Sequence, residues 1–116
     1  IILEKPLKKL IHFYKKQKTK IIFYGTKNHT NSIRNLLKNH NLIDDKIIFI
    51  EFKPHSLRKK KLDLKFFKKN KLPVFISSYE YFFEIKNFLN KIDAFEIYDN
   101  SSRPLTEYLK TKASLC

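Results

Sequence analysis

A chain of 116 residues with 42% apolar and 15% aromatic side chains has the material for one buried core, which excludes both a disordered tail and a multidomain protein. The formal net charge is +14 and it is lopsided: residues 1–71 hold 20 Lys or Arg against 5 Asp or Glu, whereas residues 72–116 hold 5 against 6. Self-repulsion on that scale destabilises a compact state, so a polyanionic partner is expected, nucleic acid first and an anionic membrane surface second. Cys116 is the only cysteine, which leaves no disulfide framework. Apolar runs no longer than four residues leave no membrane insertion, and no signal-peptide pattern opens the chain. The 22 Lys against 3 Arg, with a single glycine, match the output of an AT-rich genome. Coding bias accounts for some of the lysine but not for its confinement to the first 71 residues.

In chain order, LEKPLKKLIHFYKK sets Leu3, Leu7, Leu10, Ile11 and Tyr14 on one helical stripe, with Pro6 tolerated in the first turn. This makes residues 1–19 a basic amphipathic helix. KIIFYG follows as a short buried strand ending at Gly25. A helix capped by Thr30 or Asn31 comes next, with Ile33, Leu36 and Leu37 inward. After an Asp44-Asp45 turn, KIIFIEF (46–52) is a strand. The basic stretch 53–71 contains Leu62, Leu64 and Phe66 in alternation, which predicts a strand over 62–67 and a β-hairpin arm rather than a merely solvated face. LPVFI (72–76) is a further strand or its continuation, held to an edge or a bulge by Pro73. A capping box, Ser77 and Glu80, opens a helix running to about Lys91 with Phe82, Ile85, Phe88 and Leu89 inward. Residues 94–98 are a last strand, and 99–116 an extension.

A helix followed by strand–helix–strand–strand–helix–strand is an α+β order, the split βαββαβ ferredoxin-like sandwich over residues 20–98, with 53–71 as an extended basic loop. Helices on one sheet face would leave the other for a partner.

No constellation of catalytic residues is visible, so the chain is not expected to be an enzyme. The histidines, His12, His29, His40 and His55, lack the spacing of a helical metal pair, and one glycine builds no phosphate-cradling loop, so no metal, cofactor or small-molecule substrate is expected. Tyr79, Tyr81 and Phe83 serve either a protein interface or the domain's own core. The residues expected to meet phosphates are Lys53, His55, Arg58, Lys59, Lys60, Lys61, Lys65, Lys68, Lys69 and Lys71. Lysine is a point charge without the bidentate fork of arginine, so the contact would position rather than read bases.

KIIFIEFKPHSLRKKKLDLKFFKKNKLPVFI resembles the bacterial small-subunit ribosomal protein ten family, in its divergent organelle-type versions. The carriers are the strand to Phe52, Lys53-Pro54-His55 where the family has Ser-Pro-His, the basic Arg58 to Lys61, the alternation Leu62 to Phe67, and Lys71-Leu72. The family's Gly-Pro-x-Pro-Thr signature is absent. This resemblance implies the βαββαβ fold and a structural place in the head of the small ribosomal subunit, and the single glycine with the Lys, Asn, Ile and Phe bias makes a mitochondrial ribosome the expectation. Its partners would be ribosomal RNA and neighbouring small-subunit proteins. Lys53, Pro54, His55 and Arg58 to Lys61 would lie on a loop reaching inward.

KIIFYGTKNHTNSIRNLL with KLPVFISSYEYF is similar to the glutaredoxins, with Pro73 as their cis-proline. His29-Thr30-Asn31-Ser32 stands at the catalytic cysteine turn, which implies a redox-inactive module serving as an interaction subunit. NSIRNLL and FKPHSLRKKK also resemble the small-subunit ribosomal protein eleven family.

Overall fold

The structure, a computed structural model, describes residues 4–91 together with 97 and 98. The expectations for Leu3, for residues 94–96 and for the 99–116 extension lie outside the described residues. Helices and strands share one sheet-centred unit, as the α+β reading expects. The elements are α1 (Glu4–Lys16), β1 (Ile21–Gly25), α2 (Lys27–Asn39), β2 (Ile47–Glu51), α3 (Leu57–Asn70), β3 (Val74–Ser77), α4 (Phe82–Leu89) and β4 (Ile97–Tyr98).

The order departs from βαββαβ at one place. Residues 62–67, expected to be a strand, are the middle of α3, so strand and helix alternate and the sheet, ordered β2-β1-β3-β4, is parallel throughout. β1 is central: Phe23 faces Phe49 on one side and Phe75 on the other. The winding runs from β1 out to β2, then crosses back past β1 to β3. A right-handed crossover in each direction requires α2 and α3 to lie on opposite faces.

The side chains obey that requirement. Alternation along β1 sends Ile21 and Phe23 to one face and Ile22 and Tyr24 to the other. The first pair packs with Leu10, Phe13 and Tyr14 of α1 and Ile33 and Leu37 of α2. The second packs with Phe67 of α3 and Phe82, Ile85 and Leu89 of α4. Both faces are therefore covered, which corrects the expectation of a free sheet face. IIFY is an unbroken apolar run because a central parallel strand is buried on both sides, and β1 is fully buried.

Smaller expectations also shift. α2 begins at Lys27 with Thr26 at its N-cap, while Thr30 is buried in its first turn. The Ser77–Glu80 capping box does not form: Ser77 belongs to β3, α4 starts at Phe82, and Ser78 Oγ accepts the Tyr81 N–H at 3.1 Å. Pro73 marks no edge. It stands just ahead of the inner strand β3, its carbonyl accepting the Ile22 N–H, and its peptide bond is trans. The Asp44 turn holds as read, with ion pairs to Arg34 at 3.7 Å and Lys38 at 3.8 Å.

Candidate nucleic-acid interface

The basic segment folds as a helix for local reasons. Lys, Arg and Leu are strong helix formers, and Ser56 caps them, its Oγ accepting the Lys59 N–H at 3.2 Å. At the other end Lys71 takes a left-handed conformation (φ 50°) and its N–H donates to the Phe67 carbonyl, closing the last turn. The extended basic loop is thereby corrected to α3 with a short lead, residues 52–56.

One side of α3 is held down by a polar anchor. Asp63, the only acid in the helix, is 5% exposed. The Tyr24 hydroxyl donates to its Oδ2 at 2.7 Å, and Lys59 Nζ donates to its Oδ1 at 2.7 Å. Lys59 Nζ also donates to the Glu51 carbonyl at 3.0 Å. Below the carboxylate Phe67 meets the Tyr24 ring edge-on, with centroids 4.9 Å apart. Burial, then the hydrogen bond to Asp63, raise the Tyr24 hydroxyl far above the usual tyrosine range.

Anchoring Asp63 inward sorts the cations. Arg58, Lys61, Lys65, Lys68 and Lys69 are all exposed. At 3.6 residues per turn they fall within an arc of about 100° and span about 17 Å along the axis. No acid shares that stripe, so the neutralising pairs usual on an exposed helix are absent from it. Leu57 and Leu62, 66% and 54% exposed, flank it and with Arg58, Lys61 and Lys65 line a shallow surface groove.

The remaining expected contacts divide. Lys53, His55 and Lys71 are exposed, with Lys53 pairing with Glu51 at 3.5 Å. Lys60 is half-buried, its ammonium 5.9 Å from the centre of the Phe52 ring. Lys59 is corrected from a phosphate contact to a structural cation, because its charge is committed to Asp63. The signal for this was present: one acid among nine bases, four residues after a lysine, is a helical i,i+4 pair.

Part of the basic excess lies elsewhere. α1 packs against the opposite sheet face and carries exposed Lys8, Lys9, Lys15 and Lys16. Lys46 is structural, donating to the Gln17 and Tyr14 carbonyls at the end of α1.

At the point where the winding reverses, between the ends of β1 and β3, α/β sheets place their ligand crevices. Here Thr30 Oγ1 donates to the Ser77 Oγ at 2.8 Å, and both side chains are fully buried. Gly25 allows the closure: a Cβ there would stand 2.4 Å from the Ser77 carbonyl. His29, in the same turn, has its pKa lowered to about 4 by burial. The stretch aligned with the glutaredoxin catalytic turn thus holds a neutral imidazole and a hydroxyl bonded inward. Among the described residues no three metal-binding side chains gather, and no helix is long and apolar enough to cross a membrane.

No family model, curated protein or solved structure matches the chain, so its function is read from its own residues.

Proposed function

We propose that this protein is an RNA-binding structural constituent of a small ribosomal subunit, in a mitochondrial ribosome, and that α3 is its contact with ribosomal RNA. The observation that carries the reading is the segregation on α3: Arg58, Lys61, Lys65, Lys68 and Lys69 outward, Asp63 inward and buried. A stripe of one sign on a rigid helix meets phosphates without reorganisation, and its lysine content favours positioning over base recognition. The assembly is supplied by the resemblance to the small-subunit ribosomal protein ten family and by the charge, and the neighbouring proteins of that assembly are the expected protein partners.

The test is sedimentation of native lysate through a high-salt gradient, followed by crosslinking. Co-migration with the small subunit and crosslinks from residues 58–69 to ribosomal RNA are the expected results. Migration as a free small protein at both low and high salt would overturn the assignment to the ribosome. Crosslinks confined to α1 would overturn the role of α3.

A further inference from the structure

Among the described residues β2 is an edge strand, paired with β1 alone. Two hydrogen bonds fix which of its backbone groups that pairing uses. The Ile21 N–H donates to the Lys46 carbonyl at 2.7 Å, and the Phe52 N–H donates to the Gly25 carbonyl at 2.8 Å. In a parallel ladder the groups alternate by residue, so Ile48 and Ile50 also turn inward while Ile47, Phe49 and Glu51 turn their N–H and C=O groups outward. Two outward groups are engaged: the Ile47 N–H donates to the Asp44 carbonyl, and the Glu51 carbonyl accepts from Lys59. The Ile47 carbonyl, both Phe49 groups and the Glu51 N–H have no partner among the described residues.

Among the described residues the strand itself also carries little protection. Natural edges are blunted by proline, bulges or inward charges. Here the strand is IIFIE, with Ile48, Phe49 and Ile50 half-exposed and Ile43, in the approach to it, 73% exposed.

We infer that β2 pairs antiparallel with β2 of a second copy of this chain, about a two-fold axis at Phe49, making one continuous sheet. The free groups select the register. Phe49 against Phe49 forms two hydrogen bonds, and each Glu51 N–H reaching the other copy's Ile47 carbonyl forms two more, which uses all the free groups. The same pairing brings Asp45 of each copy, two residues before the strand, toward Lys53 of the other, two residues past it. Both side chains are exposed, and Lys53 also lies 3.5 Å from Glu51 of its own chain. A slip of two residues toward the N-terminus would oppose Asp45 to Glu51, like against like. The self-complementarity of this pattern is what a closed two-fold contact requires, and it favours a second copy over an unrelated strand.

An axis perpendicular to the sheet preserves its faces, so both α3 helices stand on the same side of the dimer. The inference does not depend on what α3 binds. The +14 charge of each copy opposes association, so added salt, by screening it, strengthens the dimer.

Sedimentation equilibrium of the full chain, without nucleic acid, tests this at about 0.05 M and about 0.5 M salt. The expected mass at high salt approaches twice 14.0 kDa. Asp45→Lys weakens the dimer about tenfold or more, and adding Lys53→Asp restores it. Phe49→Pro removes an N–H that β1 does not use and abolishes the dimer, with circular dichroism reporting that the fold persists. A monomer at both salts, or a dimer indifferent to the charge swap and to Phe49→Pro, overturns the inference.

Discussion

Gly25 stands at the closest approach of two strands. Because a methyl group there would meet the Ser77 carbonyl carbon and oxygen at 2.4 Å, Gly25→Ala forces β1 and β3 apart where the sheet is most buried. Overpacking against backbone costs about 3 kcal/mol, which urea unfolding would read as a lowered midpoint at unchanged slope. A variant within about 0.5 kcal/mol of the parent would refute the close approach. His29 makes a separate prediction. Its pKa is about 4 in the folded chain against 6.5 ordinarily, so between those values the unfolded chain binds a proton that the folded chain does not. Its contribution to stability is whole above pH 6.5 and is lost as the pH falls toward 4. Because part of the ring reaches solvent, the loss is discounted to about 1 kcal/mol. His29→Gln should flatten that share of the pH–stability curve, and an unchanged curve would refute a neutral, desolvated imidazole.

At the scale of the element, α3 shows how a segment is misread and then explained. The alternation of Leu62, Leu64 and Phe66 has the period of a strand, yet propensity, the Ser56 cap and the i,i+4 pair Lys59–Asp63 all specify a helix. Residues 59, 63 and 67, spaced by four, turn to the sheet side, Leu64 and Phe66 pack partly buried beside them, and Leu62 is left in solvent. Asp63 is the pivot. Asp63→Ala strands the buried Tyr24 hydroxyl and frees a lysine at the interface, a loss of about 3 kcal/mol, while Tyr24→Phe removes one hydrogen bond and costs about 1 kcal/mol. The double variant should fall short of the sum by about 1 kcal/mol, since each change removes the same contact. Strict additivity in denaturant unfolding would deny the coupling.

For the whole molecule, the partition of charge sets how the proposed RNA binding would respond to salt. Five outward cations on α3 predict that the logarithm of affinity for a duplex RNA falls against the logarithm of salt with a slope of about −4 to −5. Lys65→Ala should weaken binding uniformly across RNA sequences and reduce that slope by about 1. Lys59→Ala should leave the slope unchanged, because its charge faces Asp63. Equal slope changes from the two variants would show that the helix does not sort its cations as described. The basic face of α1 lies across the sheet from α3, so a single flat RNA surface engages one or the other.

Much of this molecule follows from the sequence alone. The apolar runs IIFY and IIFI with their bounding turns, the helical stripe carrying Leu10 and Tyr14, and the inward set Phe82, Ile85 and Leu89 are local signals. Local periodicity carries them because each face needs only one kind of neighbour. The uneven charge, and hence the expectation of a polyanion, is likewise a property of composition. Tertiary structure decided the rest. The helix over 62–67 has local signals, but which of its faces turns inward depends on the buried contact of Asp63 to Tyr24, 39 residues away in sequence. A helix there in place of a strand makes the sheet parallel with helices on both faces, and β2 stands at the edge among the described residues. Strand order and the packing of each helix on its sheet face bring together residues far apart in sequence, and no window of neighbouring residues contains that information.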